Sequence, residues 1–343
     1  MKSGNPGLYL CVNPSYCRIS AQNNLNLHRQ IEIYEEENMK KFLKVLGITI
    51  LTIILLIVAL LVFFLLKPNA PNDYIDRTET GGIIEAKYLA RGSYAIKTIT
   101  IDAEGDLEKF TICFPEELKK TDRQYPVVIM VNGTGVKASK YQSVLKHLAS
   151  WGFIVIGNEH PSSGFGQSTD QTLEFLIKQN QDSNSLLFNK IDLTRIGLEG
   201  HSQGGAGCLT ELSISPYKDY FKTAVALSPT HEETAHGFGW LYELDKIEVP
   251  VFMIAGTETE FETEFVIPID KMIEMFNKIS SSDKAMGRRI GADHGMMLYT
   301  ADGYATAWLM WQLQGDKEAA KAFIGDAPEL LDNPLYQDQR IER

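Results

Sequence analysis

The sequence predicts an α/β domain, a mostly parallel central sheet with helices on both faces, preceded by one transmembrane helix. Three observations point there. A run of 22 residues without a charge, VLGITILTIILLIVALLVFFLL, extends from Val45 to Leu66. Downstream, short apolar runs alternate with helical stretches, the order expected of a parallel sheet with helical crossovers. One of these runs ends in a Gly-rich turn centred on a serine, Gly200-His201-Ser202-Gln203-Gly204-Gly205.

Composition excludes several other classes. The chain has 343 residues, 33 Lys+Arg, 44 Asp+Glu and four Cys. A net charge of −11 does not suit a general nucleic-acid-binding surface, because phosphate contacts need clustered cations. Four scattered Cys do not make a disulfide scaffold. Residues 67–343 alone carry 27 Lys+Arg and 40 Asp+Glu, a net of −13. That acidity speaks against tight binding to anionic polymers or anionic headgroups.

The apolar run is long enough to cross a bilayer, which takes about 20 residues of helix. Lys40, Lys41 and Lys44 flank its N-terminal side. Positive residues stay in the cytoplasm, which places the following chain outside the cell. A cleaved signal peptide is the rival reading and would make the protein secreted. Its apolar part is ordinarily shorter, and Lys67-Pro68-Asn69-Ala70-Pro71 is a poor cleavage context. The expectation is therefore an uncleaved single-pass anchor at 42–66. Residues 1–41 read as a short Asn-rich tail, its first 38 residues either disordered or the product of a mis-called start, with Cys11 and Cys17 silent. Residues 67–90, rich in Asn, Asp, Thr and Gly, read as a linker to a domain at 91–343.

Within that domain, residues 94–101 alternate with the two-residue period of a strand, and residues 110–114 are its expected antiparallel partner. Residues 126–131 (PVVIMV) suit a strand buried on both faces. A helix to Trp151 precedes a strand at 153–157, and 169–178 is helical. Residues 195–198 form a short strand leading into the Gly-rich turn and the helix after it. Further buried strands are expected at 223–227 and 251–255, then an amphipathic helix at 267–279 and a last short strand at 288–290. A Trp-rich helix at 303–313 places Trp308 and Trp311 in the core. Cys113 and Cys208 read as buried apolar fillers.

The turn at 200–205 is G-x-S-x-G between a strand and a helix, the context that gives the motif meaning. A sharp turn lifts the Ser202 Oγ above the sheet edge. Side chains at positions 200 and 204 would collide with neighbouring backbone. The helix opening at Gln203 turns its N-terminal amides toward the site, and the Gln203 N–H is placed to stabilise an oxyanion.

This hexapeptide and the strand order resemble the α/β-hydrolase superfamily over about residues 94–313. Within it, the chain resembles the bacterial secreted esterases grouped with cutinase-like polyester hydrolases, chlorophyllases and platelet-activating-factor acetylhydrolases. The resemblance implies an α/β-hydrolase fold and the order Ser, acid, His along the chain. Of seven His, only His294 lies beyond the last expected strand, on a loop at the right sheet edge, and it is the expected base. The acid should follow the strand at 251–255 in a G-x-x-D pattern, but Thr259 stands where Asp is expected. Glu258 and Glu260 flank that gap, with Glu260 preferred because the loop looks extended. Glu232, after the preceding strand, is the alternative, and Asp293 reads as structural. The second oxyanion donor implied by the resemblance is the Thr134 N–H, in the turn Asn132-Gly133-Thr134-Gly135.

Only 18 residues, 231–248, lie where such proteins carry a cap, too few for a large helical one. The site should be an open groove with His160, Phe165, His231, Phe238 and Trp240 as wall candidates. There is no metal-type His/Cys cluster, phosphate-cradling loop or dinucleotide fingerprint, so no cofactor or metal is expected. The expectation is a serine-dependent carboxylic ester hydrolase working through an acyl-enzyme on small or polymeric esters. The alternatives are a serine peptidase or acyltransferase with the same residues, and a non-catalytic binding domain, whose mark would be a lost Ser or His.

Overall fold

The computed structural model describes residues 14–343. It divides into two compact units, one ending at Lys67 and one spanning Pro68–Arg343. In the first unit, α1 (Pro14–Leu66) is a continuous helix of 53 residues. Its stretch Gln22–Leu60 is long and apolar enough to cross a membrane. The part of the expected tail from residue 14 onward is therefore helical. No Pro or Gly interrupts residues 15–46, and Lys40 pairs with Glu36 one turn away at 2.7 Å, which supports the polar half. Cys17 falls on this helix. The first 13 residues of the expected tail, Cys11 included, lie outside the described residues.

In the second unit, residues expected as a linker are folded into the domain. They form α2 (Tyr74–Arg77) and α3 (Ile83–Leu89), and Tyr74, Glu85 and Tyr88 are buried. The Tyr74 hydroxyl donates to Asp302, which also lies 2.7 Å from His147 Nδ1. Glu85 pairs with Arg289 at 2.9 Å. What fastens the segment is a few side chains whose partners lie more than 200 residues away in sequence, Tyr74 on Asp302 and Glu85 on Asn333, while its Asp73 and Thr78 bond locally to Arg77 and to the Tyr74 carbonyl.

The sheet is built from β1 (Ile96–Asp102), β2 (Lys109–Pro115), β3 (Tyr125–Val131), α4 (Gln142–Ser150), β4 (Ile154–Asn158), α5 (Gln167–Gln181), β5 (Ile191–His201), α6 (Gln203–Ser213), β6 (Phe221–Leu227), α7 (Glu232–Gly237), β7 (Val251–Gly256), α8 (Ile269–Lys278), β8 (Lys284–Arg289), α9 (Asp302–Gln314), α10 (Lys317–Ala320), α11 (Glu329–Asp332) and β9 (Tyr336–Glu342). The strand order is β1-β2-β4-β3-β5-β6-β7-β8-β9. Neighbours from β4 through β8 pair in parallel; β1, β2 and β9 pair antiparallel at the two edges.

Every residue of β3 and β4 is buried, as expected of strands covered on both sides. One face packs Leu173 of α5, Cys208 of α6 and Met272 of α8; the other packs Tyr88 of α3, Leu145 of α4 and Trp308 of α9. Cys113 and Cys208 are buried and free. The strand expected to be last, at 288–290, is the end of β8, and β9 lies beyond it. Its sequence, YQDQRIE, carries one buried apolar residue, Tyr336, and otherwise has the charged character of an edge strand. Only α7 and a single turn at Leu244–Lys246 fill the segment between β6 and β7. This is the α/β-hydrolase arrangement without a large cap.

Candidate active site

Ser202 joins β5 to α6 with φ +61° and ψ −123°, a conformation that side-chain-bearing residues rarely adopt. Main-chain hydrogen bonds hold it there: Ser202 N–H donates to Leu227 O at 2.8 Å, and Ser202 O accepts from Ala206 N–H at 3.1 Å and from Thr230 N–H at 3.4 Å. The turn needs glycine on both sides. A Cβ at Gly204 would lie 1.9 Å from Val131 O, and one at Gly200 would lie 2.3 Å from Gly204 O. The strain is therefore balanced by close packing that other residues would prevent.

His294, on the loop after β8, brings Nε2 to 2.9 Å from Ser202 Oγ. Its Nδ1 is 2.6 Å from Glu262 Oε2. The other oxygen of Glu262 accepts from Ser228 Oγ at 2.6 Å and from the Gly256 N–H at 2.7 Å. Burial opposes ionisation of Glu262, but the hydrogen bonds from His294, Ser228 and Gly256 outweigh it and hold its pKa below the usual carboxylate value. Neither Glu260 nor Glu258 is the partner of His294; both side chains are exposed. Glu232 pairs instead with Lys278 at 2.7 Å, and Asp293 accepts from the Met296 N–H in a local turn.

The correction has a backbone cause. After Thr259, at φ +68°, the chain enters a π-helical turn, Phe261–Val266. That wide turn puts Glu262 on the buried side and Phe261 and Phe265 on the exposed side. The run Glu258-Thr259-Glu260-Phe261-Glu262-Thr263-Glu264 offers four carboxylates. The sequence-level hint available was the pair of Phe bracketing Glu262, which marks a turn with an apolar side.

His201 adds a second contact to the same loop. Its Nε2 lies 2.7 Å from His294 O, and the two rings are 4.5 Å apart. Burial and the adjacent His294 push its pKa down to about 3. His201 is thus neutral, with Nε2–H assigned as the donor because a carbonyl can only accept.

Thr134 lies in the turn after β3 and faces the cleft. Buried Asn132 fixes that turn, donating to Asn158 O at 2.8 Å and His160 O at 2.9 Å and accepting from the Tyr141 hydroxyl. Gly135 N–H donates to Pro161 O at 2.7 Å. Thr134 N–H has no acceptor among the described residues. Gln203 opens α6, where first-turn N–H groups lack intrahelical acceptors.

These groups surround a cleft of about 590 Å³ walled by two stacked aromatic pairs. Phe238 and Trp240 have centroids 4.8 Å apart, and Phe261 and Phe265 5.6 Å apart. The edge of one ring meets the face of the other between Phe261 and His294, with centroids 5.0 Å apart. Among the expected wall residues Phe238 and Trp240 line the cleft. His160 contributes its carbonyl to Asn132. Phe165 is exposed outside the cleft, beside Gly239. His231 is buried, donating its N–H to Val266 O at 2.9 Å with its ring bonded to Thr234.

Beneath the elbow, Glu199 on β5 is buried, and its Oε2 has no protein partner among the described residues. Burial, with the field of Asp302, pushes its carboxyl well above the usual range. Unfolding then releases this proton once the pH exceeds the ordinary carboxylate value, so stability falls as pH rises toward the folded pKa. Glu199→Gln, a neutral isostere, is expected to remove that slope. Calorimetry should show its melting temperature overtaking wild type by about 2–4 °C on going from acidic to neutral pH; parallel curves would mean that Glu199 does not titrate differently in the two states.

Residues 77–338 match the family described as PET hydrolase-like (PETase). The cutinase est1 of Thermobifida alba is 28% identical over 210 residues, covering 58% of this chain and 63% of that protein. The cutinase est2 of the same organism is 28% identical over 209 residues, covering 58% and 62%. The matched region thus spans a little under two thirds of these relatives' length. The family match, by contrast, takes in both Ser202 and His294 and most of the chain, and the protein belongs to the PET hydrolase-like family.

Proposed function

We propose that the protein is a serine-dependent carboxylic ester hydrolase, anchored by α1 with its catalytic unit outside the cell. The observation that carries the reading is the His294 ring bridging Ser202 Oγ and the buried Glu262 carboxylate. Ser202 Oγ attacks the ester carbonyl carbon while His294 Nε2 takes its proton. Glu262 holds the ring by Nδ1–H and stabilises the cation that forms. The N–H groups of Gln203 and Thr134 receive the carbonyl oxygen as it becomes an oxyanion. Collapse breaks the C–O bond, His294 returns the proton to the leaving alcohol, and water repeats the cycle on the acyl-enzyme. The uncapped, aromatic cleft and the similarity to cutinases favour bulky or polymeric esters.

A fluorophosphonate probe should label the wild type and leave Ser202→Ala unlabelled. Equal labelling of both would end the serine reading, and hydrolysis of aminoacyl amides but not of p-nitrophenyl esters would make the protein a peptidase. For the anchor, Lys40, Lys41 and Lys44 on the inner side and the helix that follows predict that the chain stays in the membrane pellet at alkaline pH. Release as soluble protein would point to a cleaved leader.

A further inference from the structure

The catalytic unit exposes five phenylalanines; Phe238, Phe261 and Phe265 line the cleft and Phe165 lies just outside it, beside Gly239, all four between 47% and 59% exposed. Leu241, beside Trp240, is 53% exposed. A cluster of exposed apolar side chains of this kind marks a surface that meets an apolar partner. Three segments supply it: Phe165 before α5, the stretch 238–241, and the π-helical turn that also carries Glu262.

A second observation identifies the partner. Asn69 lines the same cleft, and its N–H donates to Lys140 O at 2.7 Å, so the catalytic unit holds it. Three peptide links separate it from Leu66, the last residue of α1, at most about 11 Å of chain. We propose that the aromatic rim docks on the lipid surface in which α1 is anchored, so that the cleft draws amphiphilic long-chain esters directly from the bilayer. This rests on the anchor reading above. Aromatic side chains favour that depth, with rings in the acyl boundary and polar groups in water. The charges around the rim set its preference. Glu258 and Glu260, before Phe261, and Glu264, before Phe265, are exposed, and these carboxylates are repelled by anionic headgroups. The fitting surface is zwitterionic.

The test uses the full-length protein reconstituted in phosphatidylcholine vesicles. Lipids brominated near the carbonyl end should quench part of the tryptophan emission, and Trp240→Phe should remove the quenched part. Exchange of phosphatidylcholine for phosphatidylglycerol should weaken the quenching. The double variant Phe165→Ser/Leu241→Ser should lose about tenfold in hydrolysis of a vesicle-held long-chain ester, with hydrolysis of water-soluble p-nitrophenyl acetate unchanged. Protein that floats with vesicles while Trp240 stays unquenched overturns the docking and spares the anchor. Equal loss on both esters, or loss of adsorption to a polyester film with vesicle hydrolysis intact, overturns it too. Failure to float with vesicles removes the anchor and the docking together.

Discussion

Glu262→Ala is expected to lower kcat/KM by roughly 10³–10⁴-fold, whereas Glu258→Ala and Glu260→Ala should each stay within about twofold of wild type. The asymmetry follows from position. Glu262 is buried and spends one oxygen on His294 and the other on Ser228 and Gly256. Removing it leaves the imidazole free to turn away from Ser202 Oγ and withdraws the charge that stabilises its protonated form. Glu258 and Glu260 point to solvent, where a carboxylate contributes little to a buried ring. Glu262→Gln separates orientation from volume: its amide NH₂ group can face Nδ1 only by forcing the wrong tautomer, so kcat should fall with KM nearly unchanged. Because the folded pKa of Glu262 is depressed, its stability contribution is present above the ordinary carboxylate value and is lost as pH falls through the folded one. Steady-state kinetics on a soluble ester check all four variants, and a larger loss in Glu260→Ala than in Glu262→Ala would reverse the assignment.

The second large effect lies far from the chemistry. Arg289→Met should destabilise the protein by about 3–5 kcal/mol, a drop of roughly 10 °C in melting temperature. Arg289, at the end of β8, gives Nη1 to Glu85 at 2.9 Å and Nη2 to Glu79 O at 2.5 Å. Glu85 also accepts from the Tyr336 hydroxyl at 2.6 Å, Asn333 Nδ2 at 2.8 Å and the Gly81 N–H at 2.7 Å. Both charged groups are almost fully buried, so loss of the guanidinium leaves a carboxylate without its counter-charge beneath α3. Adding Glu85→Gln to Arg289→Met should recover part of the loss, since a neutral amide is cheaper to bury than an unpaired charge. Thermal unfolding of the two variants decides this; a change under about 2 °C for Arg289→Met would mean that the segment before β1 is not held by this pair.

These two sites mark where local sequence stops being informative. The strands at 126–131, 223–227 and 251–255 were legible because a strand covered on both faces must be apolar along its length. The elbow was legible because a positive-φ serine between close-packed backbones admits little besides glycine at positions 200 and 204. His294 followed from chain order. Residues 68–90 and β9 were not legible, because their polar side chains look solvated until their partners are known. Asn132 was seen as part of a turn, and its role in pinning that turn depends on Asn158, His160 and Tyr141 arriving from other elements.

The apolar span, the buried strands and the Gly-Ser-Gly turn were readable from the sequence by itself, because each depends on a pattern within a few neighbouring residues, and His294 was nominated by chain order. Only the tertiary structure decided which of four glutamates meets His294, where the domain begins, and which aromatics wall the cleft. Those outcomes depend on which side of a backbone turn faces the core, and that side is set when the loop closes between β7 and α8 against elements distant in the chain.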